Sequence, residues 1–144
     1  MVLAERSLES PARVIVAAIP GENHGHAVQM LEIVGRDAGA LVWNLGSNCP
    51  VESLILAAEA TRSSHILLHI SAANAGIKAD QSVKELVEGL GSNEQKRSVE
   101  LIVGGAGALR NRRGAQGATY LNDLVELRRR IMAWKTAAPT SATE

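Results

Sequence analysis

The chain has 144 residues, of which 21% are charged, with 15 Lys plus Arg balancing 15 Asp plus Glu. That length suits one domain with a single core, and zero net charge removes any global pull toward nucleic acid or an anionic membrane surface. Aromatic residues make up only 2%, with no Phe, so a bound ligand must rely on small side chains, aliphatics and hydrogen bonds, with Trp43, Tyr120 and Trp134 as the available stacking faces.

Other classes fall away on simple grounds. No apolar run reaches the length needed to cross a bilayer. The amino end, with Glu5 and Glu9, lacks a basic region followed by an apolar core and a cleavage site. A soluble cytoplasmic protein is the expectation. The lone Cys49, before Pro50, excludes an internal disulfide framework and has no metal-ligand spacing around it.

In chain order, residues 1–12 show no clear period and read as a loose lead-in. Arg13 to Ile19 is an apolar run of strand length, followed by Pro20-Gly21-Glu22-Asn23-His24 and then a helical pattern from about Gly25 to Asp37, with Gly39 as terminator. Ala40 to Leu45 reads as a second strand, and Pro50 opens a second helix from about Val51 to Thr61. His65 to Ser71 is a third strand, with a small-residue loop from Ala72 to Gly76. A third helix is expected from Ala79 or Asp80 to Leu90. Glu94 to Arg97 reads as a solvated connection, and Val99 to Val103 as a fourth strand ending in Gly104-Gly105-Ala106-Gly107. A short helical turn near Ala108 to Arg112 follows, then a weak fifth strand at Thr119 to Leu121. Asn122 is a candidate cap for a final amphipathic helix from Asp123 to Lys135, and residues 136–144 are expected to be a disordered tail.

Five strands alternating with helices predict an α/β, three-layer, doubly wound parallel sheet. For that count the flavodoxin-like order 2-1-3-4-5 is the simplest arrangement, and ligands then bind where the strand order reverses. The loops Gly21 to Ala27, Ser71 to Gly76 and Gly104-Gly105 would converge there.

Several residue patterns at that point carry chemistry. Glu22 and His24 are two apart, so in an extended loop they project the same way. A carboxylate on one imidazole nitrogen fixes the tautomer and makes the other a better metal donor; the alternative is a solvated or helix-capping loop histidine. His26 completes an H-x-H pair that invites a zinc reading, yet no third or fourth ligand lies nearby in sequence. The glycines after the fourth strand permit close backbone approach to a ligand or simply turn the chain. A dinucleotide fingerprint is excluded, because Glu22 places negative charge where pyrophosphate would sit. Ser71 lacks a nucleophile-elbow setting and is either a ligand contact or a strand-end cap. His65 and His69 share one side of their strand and read as neutral core histidines. Arg110, Arg112, Arg113 and Arg128 to Arg130 form a basic third that acidic residues interrupt, so solvated faces are expected rather than direct nucleic-acid binding.

Together, Arg13 to Ala27, Leu45-Gly46, Pro50-Val51-Glu52, the strand ending in Ser71, and Val103-Gly104-Gly105 resemble the cobalamin-binding domain family over roughly Arg13 to Ile131, and thus a domain at residues 13–135. The resemblance implies a flavodoxin-like fold that binds cobalamin base-off, the histidine of a D-x-H-x-x-G motif replacing the nucleotide base beneath cobalt. The displaced tail then enters a slot between the first and third strands, beside an S-x-L serine and a glycine pair. Carried over, His24 is the implied cobalt ligand and Glu22 its orienter, Ser71 touches the tail base, and Gly104 and Gly105 let the tail pass close to backbone.

Three positions depart from the pattern. Glu22 replaces aspartate, as in the cobalamin modules of light-responsive MerR-type regulators. Ala27 replaces glycine at the slot entrance, and Ala73 replaces the leucine of S-x-L, enlarging the other wall. The resemblance implies a regulatory or sensor module carrying adenosylcobalamin or another upper-ligand form and acting through a protein partner or a homo-oligomer. The alternatives are the small cofactor-carrying subunit of an adenosylcobalamin-dependent mutase, and the same fold with its ligand lost or exchanged. No catalytic constellation of the chain's own is expected.

Overall fold

Val14, Ile15, Val16, Ala17 and Ala18 are all buried, on both sides of the strand they form, which is the environment of a central strand in a parallel sheet covered on both faces. The structure, a computed structural model, describes residues 9–92, 98–110, 117–134 and 136–137. Its elements are β1 (Glu9–Ser10), β2 (Arg13–Ala18), α1 (His26–Asp37), β3 (Leu41–Gly46), α2 (Val51–Thr61) and β4 (His65–His69). A 3-10 turn (Ala72–Asn74), α3 (Ile77–Gly91), β5 (Glu100–Gly104), α4 (Ala106–Arg110), β6 (Ala118–Tyr120), α5 (Leu124–Ala133) and β7 (Thr136–Ala137) follow. Arg112, Arg113, Lys135, the 94–97 connection, and most of the lead-in and tail lie outside the described residues.

The main sheet runs β3-β2-β4-β5-β6 with every pairing parallel. Counting those five strands in chain order gives 2-1-3-4-5, the expected flavodoxin-like order. In β2, Ile15 and Ala17 face the core beneath α2 and α3, while Val14, Val16 and Ala18 face the core beneath α1 and α5. Helix α1 buries Val28, Leu31 and Gly35, and α3 buries Ala79, Val83, Leu86 and Leu90, each a helical stripe.

Four local expectations are revised. Helix α3 begins at Ile77 rather than Ala79 or Asp80, because Gly76 at φ 140° precedes it and the first residue, Ile77, is 85% exposed and gives no amphipathic signal. The Ala72 to Gly76 loop contains a 3-10 turn, closed by Asn74 N–H on the Ser71 carbonyl. Asp123, not Asn122, caps α5, its side chain accepting from the N–H groups of Val125 and Glu126. Residues Glu9–Ser10 and Thr136–Ala137 pair antiparallel as a separate two-stranded ribbon, joining two residues of the lead-in to two of the tail.

Candidate functional site

The carboxyl end of β2 leaves the sheet through a tight turn. Glu22 N–H donates to the Ile19 carbonyl at 3.0 Å, with Pro20 second and Gly21, at φ 90°, third, the residue placement that a type II turn favours. The turn is clamped to the loop after β3: Gly21 N–H donates to Asn48 Oδ1 at 2.7 Å, and Asn48 N–H donates to the Glu22 carbonyl at 2.7 Å. Cys49 N–H reaches the Ala18 carbonyl, and the buried thiol is pushed up in pKa by desolvation.

This clamp buries Glu22 completely. One carboxylate oxygen accepts from Ser71 N–H at 2.8 Å, and the other faces His24 Nδ1 at 2.8 Å. Burial pushes the carboxyl up, but hydrogen bonds from the Ser71 hydroxyl, the His24 ring, Ser71 N–H and Asn74 outweigh it and hold the pKa down at about 2. An ionised carboxylate only accepts hydrogen bonds, so Nδ1 must carry the proton and the lone pair of the neutral ring lies on Nε2. The His24 side chain is 75% exposed. Glu22 therefore fixes the tautomer of a ring that offers its free nitrogen outward, at the end of the sheet where the three loops meet. His26, by contrast, is an exposed residue at the start of α1, and among the described residues no group of three or more His, Cys, Asp and Glu is arranged for a metal ion.

Beside this loop lies a cavity of about 170 Å³ between α1 and α5, floored by the sheet. Its floor includes Leu67 and Ile102, its sides include Ala27, Leu31 and Leu127, and His69, Gly104 and Gly105 line its end. Its floor belongs to the third and fourth strands of the main sheet in chain order, not to the first and third between which the sequence resemblance places the slot, and of the sequence candidates the cavity gathers Ala27, Gly104 and Gly105. Ser71 and Ala73 stand outside its lining; Ser71 instead joins the Glu22 network, with its hydroxyl accepting from Asn74 Nδ2 at 3.2 Å. The glycine pair is demanded by its protein neighbours as well. A Cβ on Gly104 would stand 2.9 Å from the Leu121 carbonyl oxygen, and one on Gly105, at φ 98°, would stand 2.6 Å from His69 Nδ1.

Sequence reasoning does not single out His69 as a site residue. Burial lowers its pKa, an effect that Glu22 nearby partly opposes and His24 reinforces, so the three side chains form one electrostatic neighbourhood. The signal that separates it from His65 is satisfaction. His65 bonds Ser64 Oγ at 2.7 Å and Glu100 at 3.3 Å and stacks on Trp134 at 3.6 Å, whereas His69 has no hydrogen-bond partner among the described residues. No aromatic ring of Trp43, Tyr120 or Trp134 lines the cavity.

The site fits a slender, largely apolar appendage beside an outward nitrogen donor. The cavity is preformed, Ala27 in its lining adds only a methyl group, and its floor is aliphatic. No protein-family model and no curated protein matches the chain. Solved structures do. A cobalamin-binding protein from Desulfitobacterium hafniense superposes with a TM-score of 0.71 at 18% identity, over 85% of this chain and 58% of that one. The methanol:cobalamin methyltransferase complex of Methanosarcina barkeri gives 0.66 at 17% identity, over 93% and 52%. The monomethylamine corrinoid protein of the same organism gives 0.64 at 18% identity, over 85% and 57%. The chain thus spans little more than half of each of these longer chains. Its structural neighbours are cobalamin-binding and corrinoid proteins, and it shares their flavodoxin-like fold.

Proposed function

We propose that this chain is a cobalamin-binding regulatory or sensor module that holds its cofactor base-off. His24 Nε2 would be the lower ligand to cobalt, Glu22 would hold the ring in the donating tautomer, and the cavity lined by Ala27, Gly104 and Gly105 would take the displaced nucleotide tail. The observation that carries the reading is the pairing of a fully buried, ionised Glu22 with a largely exposed His24 next to a preformed cavity. A solvated loop histidine needs no buried carboxylate, and burying one is costly unless its hydrogen bonds are satisfied. When bound, the corrinoid supplies an organocobalt bond whose upper ligand can change. The chain's own residues bind and orient the cofactor and exclude water from its tail; Ser71 and Asn74 act by keeping Glu22 ionised and in place.

A second reading has a specific observation behind it. One structural neighbour belongs to a methyltransferase complex, which favours a cofactor-carrying subunit that presents the corrinoid to an enzyme partner. Both readings require a protein partner, and neither requires contact with nucleic acid or membrane; no described helix is long and apolar enough to cross a bilayer.

The test is an absorbance titration with hydroxocobalamin and adenosylcobalamin for wild type and His24→Ala. Wild type is expected to take up cofactor with a spectrum showing imidazole in place of the nucleotide base, and His24→Ala to lose that signature. Uptake of neither cofactor by wild type would overturn the cobalamin reading. Identical spectra from both proteins would remove His24 as the ligand. Light-dependent assembly of the loaded protein would favour the sensor; co-purification with an enzyme would favour the carrier.

A further inference from the structure

The cavity wall carries three polar side chains, and they differ in what remains free. Asn122 uses its carbonyl oxygen to accept from Gly105 N–H at 3.1 Å, and Asp123 uses its carboxylate to cap α5. The third, His69, is half-buried against Gly105 and has no hydrogen-bond partner among the described residues. Gly105 is what makes room for it, since any Cβ there would overlap the imidazole. His69 thus brings an imidazole with no protein hydrogen-bond partner among the described residues to a lining made mostly of Leu, Ile, Met and Ala, and a ligand that enters the cavity and displaces water from the ring must replace the hydrogen bond it loses.

We propose that His69 is a specificity-determining residue that reads the lower base of the corrinoid, preferring cobamides whose base carries an in-plane ring nitrogen, the benzimidazoles and purines, over those with a phenolic base. The inference rests on the corrinoid reading above. When His24 takes the cobalt position, the base that would otherwise have held it is left with an unshared lone pair on a ring nitrogen. Carrying that nitrogen into an aliphatic slot forfeits its hydrogen bond to water. A neutral imidazole has one N–H donor to replace it, and a phenolic base presents no such nitrogen. The donor thus favours one class of base, and an unsatisfied His69 disfavours the other.

Equilibrium affinities measured by absorbance for wild type, His69→Phe, His69→Leu and His69→Gln with three ligands test this. The ligands are a benzimidazole cobamide, a phenolic-base cobamide and cobinamide, which has no nucleotide tail. The cost of freeing the benzimidazole from cobalt is common to all four proteins and cancels in the comparison. Removing one buried hydrogen bond should lower the benzimidazole-to-phenolic affinity ratio about tenfold in His69→Phe and in the smaller His69→Leu. His69→Gln, which keeps an N–H donor, should retain most of the ratio. Cobinamide affinity should be the same in all four, which also reports that each variant is folded. If neither His69→Phe nor His69→Leu changes the ratio while cobinamide still binds, the role of His69 is overturned and the corrinoid reading survives. If wild type takes up none of the three, both are overturned.

Discussion

The two faces of the sheet are packed to different standards. Beneath α2 and α3 the residues Ile15, Leu54, Ile66, Val83 and Leu86 are all without solvent exposure, and α3 comes so close that a Cβ on Gly89 would overlap the Ile55 side chain. Beneath α1 and α5 the strand residues are shorter, Val14, Val16 and Ala18, and the space above Leu67 and Ile102 is left as the cavity. Met30 and Leu124 stand half exposed at its rim. At the carboxyl end of the strands the α2 and α3 face is closed and the α1 and α5 face is left open, whereas the opening on the α2 and α3 face, lined by Leu90, Val99, Leu101 and Gly117, lies toward the amino end of β5. At the carboxyl end of the sheet, packing alone therefore distinguishes the two faces, before any chemistry is considered.

Inserting bulk should separate the faces most clearly. Ile66→Phe, on the closed face, must displace neighbours that are already in contact, and should cost about 2 kcal/mol of stability in urea denaturation. Ile102→Phe, on the floor of the cavity, has a void to turn into and should cost less than about 1 kcal/mol, while blocking uptake of a tailed cobamide. Equal losses in both variants would mean that the cavity closes in solution and the two faces do not differ.

A second effect concerns the polar loop beside the open face. The Glu22 carboxyl titrates near 2 in the folded chain against 4.5 for a free group. A depressed folded pKa contributes stability that is complete above about 4.5 and is lost as pH falls toward 2. Between those limits the loss approaches about 1.4 kcal/mol per pH unit. Glu22→Gln should be less stable than wild type at pH 7 and should show a shallower acid dependence over that window. Parallel acid curves for the two proteins would show that Glu22 is not held ionised by Ser71 and His24.

The same contrast explains what is legible in the sequence. The closed face is written in local patterns: Ala79, Val83, Leu86 and Leu90 repeat at helical spacing, and the apolar runs of β2, β4 and β5 announce buried strands. The Glu22 and His24 spacing is legible too, since two residues in an extended loop share a side. The cavity is not, because a void is the absence of side chains contributed by four separate elements. His65 and His69 look alike at i and i+4, and only tertiary partners distinguish them: Ser64, Glu100 and Trp134 satisfy the first and nothing described satisfies the second. The cap of α5 is ambiguous between two adjacent good capping residues, Asn122 and Asp123, and Gly105 makes the choice, because its N–H takes the Asn122 oxygen. The ribbon of β1 and β7 joins distant ends of the chain through two residues each, too short to leave any period.

The smallest expected effect tests what keeps the open face open. At the end of α1 away from the His24 loop, Arg128 Nε donates to Asp37 Oδ2 at 2.7 Å, linking α5 to α1. Both side chains are about half exposed, so solvent screens the pair and side-chain entropy offsets much of its attraction. If Val28, Leu31, Leu127 and Ile131 hold the two helices over the sheet by packing, then Asp37→Asn should change stability by no more than about 0.5 kcal/mol, independent of salt and without effect on cobamide affinity. A larger loss that disappears at high salt, accompanied by weaker uptake, would show that charge sets the separation of α1 and α5. The cavity would then owe its width to that pair, and not to the short side chains beneath it.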